Sequence, residues 1–159
     1  MAEAAAAASV KKPLPVVPFL KIPESGDPYL EGVRCSKCSA VFLGARDVCA
    51  SCGARKDLKA TRLANKGELY VFSITHRSFP GVETPYVSAV VDLDGGGTVK
   101  GNLIGIEPDP KKIKMGMKVE VVYKIAPRKD KEGNEYLTYY FKPAPENSDR
   151  HETRRSSAR

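Results

Sequence analysis

Four cysteines gathered within eighteen residues constrain this chain more than any other feature. Cys35 and Cys38, then Cys49 and Cys52, give the spacing Cys-x2-Cys-x10-Cys-x2-Cys. Each Cys-x2-Cys pair can turn two sulfurs toward one point, and two such knuckles complete a tetrahedral S4 set. Zinc accepts that set at ~2.3 Å per sulfur, and iron takes the same ligands in a rubredoxin-like site, so iron is the rival metal. A redox pair of the thioredoxin kind would need one Cys-x2-Cys in a βαβ setting, which is missing here. A catalytic zinc needs an open coordination position, and four protein sulfurs leave none. The metal is therefore expected to be structural. Residues 29–60 are too few to build an adequate core, and a metal takes the place of that core. Gly53 follows the second pair, where a tight knuckle often needs a positive φ; Ser39 stands at the corresponding place after the first.

The other 150-odd residues narrow the class further. No apolar run approaches the ~20 residues of a membrane helix, and the alanine-rich start with its acid Glu3 lacks the basic front of a secretory signal. A cytosolic protein is expected, in a compartment that disfavours structural disulfides. The formal charge is +7, but the excess is spread along the chain, whereas nucleic-acid binders usually gather theirs on one face.

Along the chain, residues 1–28 read as an extended, proline-rich arm. Pro13, Pro15 and Pro18 carry no backbone donor and favour polyproline geometry, and Phe19, Leu20 and Ile22 offer surface anchors; a disordered tail is the alternative. Residues 29–60 form the ribbon, entered through Tyr29, Leu30 and Val33, which suggest a short helix. Residues 61–143 read as strands. Glu68 to His76 is rich in aromatic and β-branched residues. Tyr86 to Leu93 puts Val87, Ala89, Val91 and Leu93 on one face by alternation. Asp94-Gly95-Gly96-Gly97 is the turn to a partner strand, Thr98 to Ile104. Glu107-Pro108-Asp109-Pro110 breaks the sheet, and one helical turn is expected over Lys111 to Met115. Val119, Val121, Tyr123 and Ile125 alternate as a fourth strand; Leu137, Tyr139 and Phe141 share a face of a fifth, ended by Pro143 and Pro145. Five strands broken between the third and fourth predict an OB-fold barrel, with an SH3-like barrel as competitor; closure removes the sticky edges. The expected architecture is mainly β: a rubredoxin-like zinc ribbon, then a five-stranded OB-fold barrel. Residues 144–159, with no large apolar side chain from Glu146 on, are expected to be a disordered basic tail.

Independent catalysis is not expected. His151 lies in the tail, and His76 has no nearby carboxylate in sequence to orient it as a base. The cysteines are committed to metal, and Gly95-Gly96-Gly97 is a hairpin turn too short to cradle a phosphate.

The segments Gly67 to Ser73, Thr75-His76-Arg77, Pro85-Tyr86-Val87, Val91 to Gly96 and Met115 to Val121, with the ribbon upstream, resemble the zinc-ribbon/OB-fold acyl-CoA-associated family. The resemblance covers roughly residues 28–143. It implies a non-catalytic accessory subunit in a hetero-oligomer with a thiolase-like catalytic subunit, which supplies the cysteine nucleophile. One branch of the family is the small subunit of benzoylsuccinyl-CoA thiolase in anaerobic toluene degradation; another bridges acetoacetyl-CoA thiolase and hydroxymethylglutaryl-CoA synthase. The accessory subunit is expected to stabilise its partner and help form the CoA channel, with acyl-CoA a ligand shared between them. His76, Arg77, Phe79, Tyr86 and Lys100 are the candidate CoA contacts, and Cys35, Cys38, Cys49 and Cys52 the metal ligands. Two rival readings remain. One is a single-strand nucleic-acid module stacking bases on Tyr70, Phe72, Tyr139 and Tyr140. The other is an electron carrier with iron at the S4 site.

Overall fold

The structure, a computed structural model, describes residues 12–145. Its strands are β1 (Leu14–Pro15), β2 (Leu20–Lys21), β3 (Tyr29–Cys35), β4 (Val41–Leu43), β5 (Leu58–Arg62), β6 (Lys66–Thr75), β7 (Tyr86–Leu93), β8 (Thr98–Leu103), β9 (Lys118–Ile125) and β10 (Tyr136–Pro143). No helix occurs among the described residues, and none is therefore long and apolar enough to cross a membrane.

Strands β6 to β10 close on themselves. β7 pairs antiparallel with β6 and β8, β8 runs parallel to β10, and β9 joins β10 back to β6. This ring is the five-stranded OB-fold barrel, and closure leaves none of the five with two open edges. The alternation read from β7 fills it: Val87, Ala89, Val91 and Leu93 are buried, with Leu69, Val99, Leu103, Val119, Val121 and Phe141 from the other strands. The first strand hides a feature that alternation does not show. Leu69 faces Val91 but Val71 faces Val90, so Tyr70 is an extra residue, a bulge. The inward positions switch from Gly67 and Leu69 to Phe72 and Ile74, and the bent strand serves both β7 and β9.

The expected helical turn at Lys111–Met115 does not form. One helix-like bond, from the Ile113 N–H to the Asp109 carbonyl at 3.2 Å, is not propagated. Prolines on one side and Gly116, with φ of 81°, on the other leave no length to propagate it. Ile113 is buried in the barrel core instead. The short helix suggested at Tyr29–Val33 is likewise absent. Those residues lie in β3, which pairs with β2 at Tyr29 and Leu30 and with both β4 and β5 over residues 32–34; pairing on both sides overrides local preference.

The arm is extended and ordered into the sheet from Leu14. Leu14 and Pro15 pair in parallel with Tyr136 and Leu137, on the stretch of β10 that precedes its contact with β8 at Tyr140 and Phe141. The Phe19 ring lies 6.0 Å from that of Tyr139, and Leu20 is fully buried. Residues 1–11 of the arm and nearly all of the tail, His151 included, fall outside the described residues.

Ribbon and barrel share a core. Leu20, Leu30 and Leu63 belong to the same buried cluster as the barrel interior. Val41 of β4 lies so close to the Gly95-Gly96-Gly97 turn that a Cβ on Gly96 would come within 2.9 Å of it. Arg34 donates from Nη2 to the Gly95 carbonyl at 3.3 Å. The glycines therefore do more than turn a hairpin; they let the ribbon sit against it. β5 runs continuously through residues 60 and 61, where the ribbon was expected to give way to the barrel.

Candidate functional site

The cysteine module is built from two copies of one local device. In the first, the Cys35 N–H donates to the Ala40 carbonyl and the Ser39 N–H to the Cys35 carbonyl, each at 2.9 Å. In the second, Cys49 and Ala54, then Gly53 and Cys49, repeat the two bonds at 2.8 and 2.9 Å. Both turns need one residue with positive φ: Ser39 at 62° and Gly53 at 72°. Ser39 is the one non-glycine residue in that region among those described. The first cysteine of each pair is buried and the second exposed.

All four sulfurs lie within 4.8 Å of one another, with Cys35 Sγ 3.7 Å from Cys52 Sγ and Cys38 Sγ 3.5 Å from Cys49 Sγ. A tetrahedron with ~2.3 Å metal–sulfur bonds has edges of about 3.8 Å, so the donor set fits a tetrahedral metal ion. The electrostatics agree. The Ala40 backbone N–H, the largest influence on Cys38, lowers that thiol's pKa. At Cys52 the Ala54 N–H also pulls downward, but burial and the three neighbouring sulfurs outweigh it and push the thiol up to about 12. Four thiolates this close repel one another, and a bound cation is what lets all four ionise. Around them only Ala54, Ala40, Phe42 and Leu58 offer apolar packing.

The second cluster lies on the barrel. His76, Arg77 and Phe79 sit in the β6–β7 connection and are exposed; Tyr86, half-buried, opens β7 beside Thr75. Lys100 is elsewhere, in mid-β8 opposite Val90. It is on the same outer face as Tyr86 but four residues along, ~13 Å by strand geometry. Between them that face carries small side chains, Ser73, Ser88 and Val90. The β6–β7 connection also meets the β9–β10 loop. Arg128 donates from Nη2 to the Gly81 carbonyl, and a cleft of about 390 Å³ is lined by Gly81, Val82, Glu83, Pro127 and Arg128. In an OB-fold these two loops flank the face used for binding. Arg128 is not among the candidates read from the sequence, because nothing local in it brings residues 81 and 128 together.

The β9–β10 loop is organised by Asp130. Its carboxylate accepts the N–H groups of Glu132 and Asn134, the Asn134 side-chain amide and the Tyr136 hydroxyl. Those bonds, the Asn134 side chain foremost, hold its pKa below the usual range. The stacking platform of the nucleic-acid reading is not assembled: Phe72 and Tyr139 pack against the core, while Tyr70 stands 65% exposed at the bulge.

The family described as the ChsH2 C-terminal OB-fold domain matches residues 60–124. A DUF35 domain-containing scaffold protein of Methanocaldococcus jannaschii is 30% identical over 116 residues, spanning 72% of this chain and 81% of that protein. The benzoylsuccinyl-CoA thiolase subunit BbsA of Geobacter metallireducens is 35% identical over 76 residues, 47% of this chain and 51% of that one. Among solved structures, a chain of the Ltp2–ChsH2(DUF35) aldolase superposes with a TM-score of 0.57 at 30% identity, covering 72% of this chain and 84% of that chain. The relatives so named are scaffolds or subunits of thiolase- and aldolase-type complexes.

Proposed function

The chain belongs to the DUF35 scaffold family, and from that premise we propose that it is a non-catalytic accessory subunit of a thiolase-type acyl-CoA enzyme. The observation that carries the reading is the likeness to a DUF35 domain-containing scaffold protein over 116 residues. It is joined by a set of four sulfurs within 4.8 Å of one another, which would leave a bound metal no open position for chemistry. Zinc is the metal we propose, held by Cys35, Cys38, Cys49 and Cys52; it supplies folding energy to a ribbon that lacks a core.

The barrel then contributes one wall to the mouth of a CoA channel in a hetero-oligomer. In this reading Arg77 and His76, with Arg128 from the facing loop, meet the phosphates. The outer face from Tyr86 toward Lys100, with small residues between, suits an extended pantetheine arm. Phe79, at the loop tip, has a role of another kind. The carbon–carbon chemistry belongs to the partner, in the cytosol, and benzoylsuccinyl-CoA thiolysis is the reaction we favour. The support is the likeness to BbsA.

The test is affinity purification of the full-length chain from its native host, with mass spectrometry of what co-elutes. A thiolase-like subunit in near-stoichiometric amount is expected. That partner should have no lower KM for acyl-CoA when separated than in the complex, and the accessory chain alone should have no activity. Elution of the chain alone, or with nucleic acid released steeply by salt, would refute the proposal.

A further inference from the structure

The tip of the β6–β7 connection is a hydrogen-bonded turn held from a second loop. The Val82 N–H donates to the Phe79 carbonyl at 3.1 Å, closing a turn over Phe79-Pro80-Gly81-Val82. Pro80 pre-sets the first central position, and Gly81, with φ of 81°, supplies the second; this is the residue pattern of a type II turn. Arg128 clamps the turn from the facing loop by bonding the Gly81 carbonyl, and a Cβ at Gly81 would run into that guanidinium. The ordered tip presents apolar side chains at its two corners. Phe79 is 84% exposed, the most exposed large hydrophobic residue among those described, and Val82 is 43% exposed.

We propose that this turn is a plug, with Phe79 as an anchor that enters an apolar pocket on the catalytic subunit. The proposal rests on the reading that such a subunit is the partner. A small-molecule site is concave and shields the aromatic residues lining it. Phe79 is not among the residues lining the neighbouring cleft and stands 84% exposed, as a side chain that enters a pocket on another protein would. Burying one aromatic side chain in a desolvated pocket is the usual form of an interface hot spot. Fixing its turn beforehand removes part of the ordering cost of binding. Charge identifies the rim of the pocket. Arg77 and His76 precede the turn, Arg128 clamps it, and Glu83 is the single acid in residues 76–85. The rim of the pocket is accordingly expected at the mouth of the CoA channel, where those arginines meet the CoA phosphates.

The measurement is the dissociation constant between full-length chain and the catalytic subunit that co-purifies with it. Phe79→Asp should weaken binding by roughly thirty-fold or more, the scale of a lost hot spot. Phe79→Leu should keep most of the affinity. Gly81→Ala, which retains Phe79 but breaks the turn, should weaken binding several-fold. Bound metal and melting temperature should not change in the Phe79 variants, because the side chain touches little of its own fold. Wild-type affinity for Phe79→Asp would overturn the plug and leave the accessory-subunit reading standing. A Phe79→Asp variant that changes only the partner's KM for acyl-CoA would also overturn it, assigning Phe79 to the substrate instead. A catalytic subunit that binds neither wild type nor variant would end both proposals.

Discussion

The ribbon and the barrel lie side by side and solve the same problem in different ways. The barrel buries a continuous set of apolar side chains from five strands, with Phe141 fully enclosed, and closes its hydrogen bonds into a ring. The ribbon buries Cys35, Cys49 and Ala54 and little else of its own. The barrel therefore has an apolar core of its own. The ribbon does not, and with zinc bound as proposed its stability comes from the metal and from Leu30 which, with Leu63 just past β5, it shares with the barrel core. An ion can replace side-chain packing where residues are few.

The largest expected effect separates the two regions directly. Removing the metal with a chelator, or substituting Cys49→Ser, should unfold the ribbon, since structural zinc supplies about 10–16 kcal/mol in small metal-organised peptides. Hydrogen exchange should show protection lost across β3 to β5 and retained across β7 to β9. The metal recovered from wild type should be zinc, from a colourless protein. Loss of protection throughout the chain would break the contrast, because the shared leucines would then make ribbon and barrel a single cooperative unit.

The reciprocal change is smaller. Phe141→Ala should cost about 3–5 kcal/mol, as large-to-small changes in a packed core do, while one metal ion per chain stays bound at low temperature. Phe141 is enclosed within the barrel and contributes nothing to the S4 set, so a metal-free Phe141→Ala protein would show that the knuckles need the barrel to form.

The sequence shows the two regions unequally. The clustering of the four cysteines and their two knuckles was legible because it is encoded in spacing over a few residues. β7 was legible to the residue, because it is buried on one face and Val87, Ala89, Val91 and Leu93 alternate without interruption. β6 was found, but its bulge at Tyr70 was not, because an inserted residue shows only when the partner strand is known. The parallel pairing of Leu14 with Tyr136 and the Arg128 clamp on Gly81 were invisible for the same reason: each depends on closure of the whole barrel. The suggested helices at Tyr29 and Lys111 failed where strand pairing on both sides, or prolines and a glycine, overrode a weak local preference. Of the CoA candidates, four gather at one loop, but nothing in the spacing revealed that Lys100 stands apart from them.

The smallest expected effect lies within the ribbon, where the two knuckles are natural controls for each other. They make the same pair of backbone bonds, yet one turns on glycine and the other on Ser39, with φ of 62°. A left-handed conformation costs an L-residue roughly 1–2 kcal/mol, and glycine in its place recovers that cost less ~0.4–1 kcal/mol for the freer unfolded chain. Ser39→Gly should therefore stabilise the metal-bound ribbon by about 0.5 kcal/mol, with tighter metal retention against a competing chelator. Gly53→Ser should do the opposite by a similar amount, since nothing lies within 4 Å of a Cβ placed there and backbone strain is the main cost. Arg34 donates to the Ser39 carbonyl at 3.3 Å, a backbone contact that the substitution leaves in place. If Ser39→Gly instead loosens the metal, the serine side chain contributes to the first knuckle in a way its backbone does not, and the two halves of the site are not equivalent.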